Sequence, residues 1–118
     1  MIAKLSEYIP KQQDILWIDF DPSKGKEIQK KRPAVVVSSS GYIKYTGFVA
    51  VCPITNGAKN LLEAGILEKV VEREVQGYVN PLQLHTFDYK QRKVKFIAKM
   101  NDFSFFRVKQ KVQVIFDE

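Results

Sequence analysis

The chain has 118 residues, of which 45% are hydrophobic and 12% aromatic, so it can bury one ordinary core and we expect a single domain spanning residues 1–118. Its 19 Lys and Arg residues outnumber 13 Asp and Glu residues, and the net charge of +6 favours a polyanionic partner. Because Cys52 and His85 are the only cysteine and histidine, an internal disulfide is excluded, and a paired-histidine nuclease, a Cys–His hydrolase or a Cys/His zinc site fits very poorly.

The N-terminal residues include Lys4 and Glu7, where a secretion signal requires an unbroken apolar stretch. No later apolar run approaches the length of a membrane-spanning helix. Cys52 lies in an apolar run, which predicts a buried, inert thiol and a reducing compartment. We therefore expect a soluble cytoplasmic protein with no membrane partner.

Several short segments are rich in β-branched and aromatic residues, which is typical of strands. They lie at 15–20, 34–38 and 48–54, with later runs at 70–71 onward, 77–79 and 94–98. The segment 34–38 is almost continuously apolar, which indicates burial on both faces, as in the wall of a small barrel. The polar stretch 21–32 is long for a hairpin and is therefore a candidate functional loop.

The C-terminal region predicts a helix over 104–116, capped by Asn101, Asp102 or Ser104. The apolar residues spaced three or four apart that would face the barrel are Phe105, Val108, Val112 and Ile115. The fold is therefore predicted to be mainly β with short helices, an α+β arrangement closed on one side by the C-terminal helix.

Neither a metal nor a nucleotide cofactor is expected from the sequence. Asp19 and Asp21 are two positions apart, but Asp-Pro is a common turn opening and no further carboxylate cluster supports a cation site. No glycine-rich phosphate loop precedes a helix.

Arg32 and Thr55 have a structural and a chemical interpretation. Arg32 precedes Pro33, which favours extended backbone and places a guanidinium at a loop-to-strand junction, where it could bind a phosphate. Thr55 ends the third predicted strand just before the tight-turn signal Asn56-Gly57. Without further context, a solvated arginine and a turn threonine are the simpler interpretations.

Three ordered motifs change that interpretation: residues 14–27 (DILWIDFDPSKGKE), 31–36 (KRPAVV) and 51–55 (VCPIT). Together they resemble the MazF/PemK family of toxin ribonucleases, most sharply in the first half of the chain. The resemblance implies an SH3-like barrel of the CcdB-like type, a homodimer and a cognate antitoxin. It also implies metal-independent cleavage of single-stranded RNA that leaves a 2′,3′-cyclic phosphate and a 5′-hydroxyl.

The resemblance also implies roles for individual residues. Arg32 and Thr55 match the family's catalytic pair. The positions expected to contact RNA are Lys26, Glu27, Pro33, Ser39, Asn56 and Gln83. Some members instead use an acidic base and a second arginine, but those positions match Leu82 and Asn80 here, which places the chain in the arginine–threonine branch.

Two further features are weaker candidates for a role in RNA cleavage. His85 lies near Gln83 and could supply acid–base chemistry, although the two side chains share a face only if this segment is a strand. The basic stretch 89–96 interleaves cations with Tyr89 and Phe96 and could support RNA binding, or be a solvated hairpin.

Two alternative functions stay open. A non-catalytic barrel that binds RNA or peptides would have almost the same sequence pattern, because fold does not fix function. A gyrase poison is the less favoured alternative, since toxins of that kind resemble one another in a tryptophan-containing C-terminal end, whereas Trp17 is the only tryptophan here.

Overall fold

The computed structural model describes residues 8–20, 31–57 and 59–118. Within these ranges the strands are β1 (Asp14–Asp19), β2 (Lys31–Val36), β3 (Phe48–Thr55), β4 (Glu68–Lys69), β5 (Tyr78–Val79), β6 (His85–Asp88) and β7 (Lys95–Lys99). The helices are α1 (Ser40–Thr46), α2 (Lys59–Glu63) and α3 (Asp102–Val112), and a 3-10 turn follows at Gln113–Ile115. Among the described residues, no helix combines the length and the hydropathy needed to cross a membrane.

The strands form one antiparallel sheet in the order β4-β5-β3-β2-β1-β7, with β6 also paired to β3. Strand β3 changes partner along its length. Its first half, from Phe48 to Val51, pairs with β6, whereas its last two residues, Ile54 and Thr55, pair with β5. Because one strand serves several neighbours, the sheet curls into a half-barrel with short helices and a C-terminal helix, as predicted.

The second half of β2 is buried on both faces, which confirms the prediction from its apolar run. Ala34, Val35 and Val36 have no exposed surface. Successive side chains point to opposite faces of a strand, and here Val35 joins a cluster with α3 while Ala34 and Val36 join a second cluster with α1. The β-branched valines suit this position because they pack well on a pleated surface.

Several strand boundaries differ from the prediction, and β6 was not among the predicted strands. Strand β2 begins at Lys31 rather than at residue 34, because Lys31, Arg32 and Pro33 pair with the end of β1. The predicted strand at 70–71 was wrong: β4 covers Glu68–Lys69, and the chain then turns through a loop. The predicted strands 15–20 and 48–54 are confirmed to within a residue by β1 and β3.

Helix α3 begins after Asn101, one of the three predicted caps, whose Oδ1 accepts a hydrogen bond from the Ser104 backbone N–H at 2.8 Å. Three of the four predicted core-facing residues, Phe105, Val108 and Val112, are buried. The fourth, Ile115, is 41% exposed because the helix gives way to the 3-10 turn before reaching it, so that part of the prediction was wrong.

Cys52 is fully buried, as expected. Burial disfavours the thiolate and raises the pKa of Cys52 to about 12. The thiol is therefore protonated at neutral pH and acts as a small core side chain.

Candidate active site

A cleft lies where β2 and β3 separate. The last paired residues of these strands are Ala34 and Pro53. Beyond these residues β2 remains paired with β1, whereas β3 pairs with β5. The register of Ala34 with Pro53, continued by two residues, brings Arg32 opposite Thr55. Residues 37–47 separate the two strands in sequence, so it is the pairing of the strands that brings the two candidate residues together.

The cleft has a volume of about 290 Å³. The described residues that line it are Trp17, Arg32, Pro33, Ile54, Thr55, Asn56, Glu74, Val75 and Gln76. This volume is near the lower end of the range of about 300–1,000 Å³ typical of small-ligand sites. A phosphodiester bound in so small a cleft would therefore contact groups from several of its walls.

The Thr55 hydroxyl is oriented by the turn that follows β3. Its Oγ1 accepts a hydrogen bond from the Gly57 backbone N–H at 3.2 Å. Gly57 has a φ of +94°, a conformation that other residues rarely adopt, and this allows its N–H to turn back toward Thr55. Since the oxygen acts here as an acceptor, the hydroxyl proton remains available to donate to a bound group.

Arg32 is the second residue of β2, and its side chain is exposed. Its backbone is fixed by pairing with Ile18, which is fully buried. No described carboxylate lies within ion-pair distance of its guanidinium, and the described ion pairs both involve Glu68. Arg32 therefore offers a charged, planar set of donors on a rigid strand, which suits a phosphate.

Two of the residues predicted to contact RNA, Pro33 and Asn56, also line the cleft. Ser39 lies beyond the other end of β2 and caps α1, where its Oγ accepts a hydrogen bond from the Tyr42 N–H at 3.1 Å. Gln83 is exposed in a turn, and its N–H donates to the Asn80 carbonyl at 3.3 Å. The structure does not bring Ser39 or Gln83 into the cleft, and their contact with RNA stays a prediction.

The predicted RNA-contacting residues Lys26 and Glu27 lie outside the described residues. The same holds for Asp21, for which the sequence predicts a turn. Their roles stay predictions.

His85 belongs to an aromatic cluster rather than to the described lining of the cleft. Its ring meets Phe20 edge-on at 5.1 Å and stacks on Phe87 at 5.7 Å. Burial lowers the pKa of His85, because desolvation disfavours the imidazolium. His85 is the first residue of β6, so the segment is a strand from this point.

The basic stretch 89–96 is only partly available for binding. Arg92 donates hydrogen bonds to the carbonyls of Asp19 and Phe20 at 3.2 and 3.1 Å, and its guanidinium lies 4.4 Å from the centre of the Phe87 ring. Tyr89 is buried. Arg92 therefore holds the end of β1, and among these aromatic residues Phe96 is the exposed one.

Three polar or aromatic residues of the cleft were missed by the sequence analysis: Trp17, Glu74 and Gln76. Trp17 stood within a recognised motif, and its 43% exposure sets it apart from its buried strand neighbours. Glu74 and Gln76 belong to a loop at 70–77, where charged residues and valines show no strand or helix periodicity. Within the described ranges, no group of three or more His, Cys, Asp and Glu side chains could hold a metal ion.

Comparisons with known proteins find relatives of this chain. The family model of the PemK-like, MazF-like toxins of type II toxin-antitoxin systems matches residues 11–116. The endoribonuclease toxin MazF of Escherichia coli K12 is 44% identical over 55 residues, and this alignment spans 47% of the chain and 50% of that relative. The chain thus aligns with about half the length of this curated relative.

Solved structures extend the likeness over most of the chain. A crystal structure of MazF from Deinococcus radiodurans superposes with a TM-score of 0.77 at 25% identity, covering 92% of this chain and 97% of that one. A MazE–MazF crystal structure from the same organism gives a TM-score of 0.81 at 25% identity, with 92% and 96% covered. The half-barrel fold is therefore shared over nearly the whole of both chains.

Proposed function

The chain belongs to the family of PemK-like, MazF-like toxins of type II toxin-antitoxin systems, and we propose that it is a sequence-specific endoribonuclease that cleaves single-stranded RNA without a metal. The products are a 2′,3′-cyclic phosphate and a 5′-hydroxyl. One observation carries the proposal: Arg32 and Thr55, on different strands, line the same small cleft.

The reaction needs three things from the protein. The ribose 2′-hydroxyl must lie in line with the adjacent phosphorus, the negative charge developing on the phosphoryl oxygens must be stabilised, and protons must move. Arg32 supplies positive charge and paired donors to those oxygens. The Thr55 hydroxyl, held by the Gly57 N–H, donates one more hydrogen bond. Pro33 and Asn56 belong to the wall that positions the ribose and base.

The proposal includes a cognate antitoxin as a partner. A MazE–MazF complex is among the similar structures, and the cleft presents Arg32 without a described carboxylate partner. An acidic antitoxin segment would therefore complement the cleft and exclude RNA. The protein acts in the cytoplasm, where its RNA substrate is found, and residues 1–118 act as one domain.

The proposal also includes a homodimer. Helix α3 turns Phe103 and Phe106 outward with 73% and 60% exposure, and the chain beyond it exposes Val114 and Phe116. Phe103 and Phe106 are three residues apart and therefore lie on one face of α3, and an exposed apolar face favours an interface. We expect light scattering to give the mass of a dimer, and Phe106→Glu to shift it toward the monomer.

A cleavage assay tests the function directly. Labelled single-stranded RNA is incubated with the purified protein in EDTA, and the fragment ends are identified by mass spectrometry. We expect cuts at defined sites with cyclic phosphate ends, and their loss in Arg32→Ala. Lys31→Ala is the matched control, because it removes a neighbouring exposed cation from the same strand.

Other outcomes distinguish the alternatives. RNA that binds but stays intact with the wild-type protein would indicate the non-catalytic barrel. Inhibition of DNA supercoiling by gyrase, with intact RNA, would indicate the gyrase poison. Mapping the cuts by primer extension on a long RNA then gives the recognised sequence.

A further inference from the structure

The proposed active site lacks an obvious proton acceptor. A guanidinium keeps its proton at every physiological pH, so Arg32 stabilises charge but does not act as a base. The Thr55 hydroxyl is neutral and is already an acceptor for Gly57. The position at which some family members carry an acid is Leu82, and His85 packs among aromatic rings outside the described lining of the cleft.

A carboxylate does line the cleft. Glu74 and Arg32 are the two ionisable side chains among its described lining residues. Glu74 forms no ion pair with any described cation, Arg32 included, so its carboxylate is not neutralised by a close partner in the described part of the chain. A base that lines the same cleft of about 290 Å³ as a phosphate-binding arginine is placed for proton transfer from a bound ribose.

The backbone around Glu74 is anchored on both sides. Val75 follows it and is 7% exposed, with its side chain in the core cluster that includes Ile54 and Val79. The Val75 N–H donates to the Glu72 carbonyl at 3.2 Å, which closes a tight turn around Glu74. At the base of the loop, the Val70 N–H donates to the Gly77 carbonyl at 2.9 Å. Glu74 is thus an exposed side chain on a fixed turn, which favours a preorganised catalytic group.

We propose that Glu74 is the general base of the cleavage reaction, an inference that rests on the ribonuclease function proposed above. The Glu74 carboxylate takes the proton of the ribose 2′-hydroxyl as the bond from the 2′-oxygen to phosphorus forms. The bond from phosphorus to the 5′-oxygen breaks, and the departing 5′-oxygen takes a proton from a solvent water. Arg32 stabilises the phosphoryl oxygens throughout, and the protonated Glu74 returns its proton to solvent.

The test replaces the carboxylate by its neutral isostere, Glu74→Gln. A positioned base contributes about 100- to 10,000-fold to rate, so we expect kcat to fall at least about 100-fold while RNA binding is kept. The matched control is Glu63→Gln, which removes the same charge from an exposed residue on α2, away from the described lining of the cleft. Its kcat should equal that of the wild type.

The pH profile separates a base from a positioning residue. A general base must be ionised, so wild-type kcat should decline toward acidic pH, and this decline should be absent from the residual activity of Glu74→Gln. The other charged side chain among the described lining of the cleft is Arg32, and Glu72 and Arg73 precede Glu74 on its own loop. Glu74→Asp keeps a carboxylate on a shorter side chain. Compared with Glu74→Gln, this variant should recover part of kcat and the decline of kcat toward acidic pH.

Several results would overturn the inference. An unchanged kcat in Glu74→Gln would do so, as would a lower KM with unchanged kcat, because the carboxylate would then only repel RNA. If the decline of kcat toward acidic pH disappears in Glu27→Gln but persists in Glu74→Gln, the general base is Glu27. A fall in melting temperature that matches the fall in kcat would assign a structural role. If the wild-type protein itself leaves RNA intact, it is the proposed function that fails.

Discussion

Asn101 donates two hydrogen bonds to one oxygen of Glu72, from its backbone N–H at 2.7 Å and from its side-chain amide at 3.1 Å. Asn101 is also the N-cap of α3, because its Oδ1 accepts from the Ser104 N–H at 2.8 Å. One residue therefore starts the C-terminal helix and holds the loop that carries Glu74. The cleft depends in this way on an element that does not line it.

This relationship predicts that Glu72→Ala loosens the loop. Hydrogen bonds to a charged group contribute about 1.5–3 kcal/mol each. The second carboxylate oxygen of Glu72 is buried with no partner among the described atoms, and its desolvation offsets part of that gain. We expect the free energy of unfolding to fall by about 1–3 kcal/mol in urea titrations, and kcat to fall with little change in KM. Glu63→Ala, on exposed α2, should change neither.

A second prediction concerns the Thr55 hydroxyl. Thr55→Val keeps the shape of the side chain but removes the donor, and losing one preorganised donor costs on the order of 100-fold in kcat. Thr55→Ser should keep most of the activity. Thr46→Val is the matched control, because the Thr46 hydroxyl also bonds to backbone groups, at 2.7 and 3.0 Å, but lies on α1. Equal losses of cleavage in the two valine variants would contradict a catalytic hydroxyl.

The sequence was sufficient to predict strands whose residues alternate or run apolar without interruption, as in β1, β2 and β3. It also predicted the C-terminal helix from a regular spacing of apolar residues, with Asn101 as one of three candidate caps, and Asn101 is the cap. Helix α1 was missed because its seven residues include one buried side chain, Ile43, and so show no apolar stripe. Its one local signal is the Ser39 cap.

The juxtaposition of Arg32 and Thr55 could not be derived from local pattern. It depends on the register of Ala34 with Pro53 and on the point at which β3 changes partner, and both are long-range properties of the sheet. The resemblance to a family identified Arg32 and Thr55 as candidates, and the strand pairing explains why both line one cleft. Glu74 was not predicted as a site residue because its loop has no periodicity. Its position depends on the packing of Val75 against core residues that are distant in sequence.

A third prediction uses two glycines with positive φ. A Cβ at Gly77 would lie 2.6 Å from the Thr55 carbonyl oxygen and 2.9 Å from Cγ2 of Ile54, whereas a Cβ at Gly65 would meet nothing within 4 Å. Gly65→Ala should cost only the left-handed strain of about 1–2 kcal/mol. Gly77→Ala adds a clash, for which overpacking typically costs about 1–3 kcal/mol more.

The variants Gly65→Ala and Gly77→Ala also distinguish an effect on stability from an effect on cleavage. Relief of the Gly77 clash must move either β5 or the end of β3, and Thr55 is the last residue of β3. We therefore expect Gly77→Ala to lower kcat at a temperature at which the protein stays folded, and Gly65→Ala to leave kcat unchanged. Circular dichroism melting and cleavage rates measured on both variants check this. Equal effects on kcat would contradict the coupling between β5 and Thr55.

A fourth prediction is the pH dependence contributed by His85. Burial against Phe20 and Phe87 lowers its pKa in the folded protein, so the unfolded chain, with a histidine pKa of about 6.5, binds the proton more readily. The neutral ring therefore contributes its full stability above about pH 6.5 and loses it as the pH falls below that value. Urea unfolding between about pH 7 and 5 should show this decline in the wild type.

His85→Phe keeps an aromatic ring in the cluster but has no titrating group, so its free energy of unfolding should decline less over the same interval. Glu68 does not confound this comparison. Burial would raise the pKa of Glu68, but its bonds with Arg107 and Lys111 outweigh burial and lower the pKa below that of an ordinary glutamate.

Cleavage by His85→Phe should match the wild type, because the described lining of the cleft does not include His85. A 100-fold loss of kcat with stability intact would instead make His85 the acid–base group.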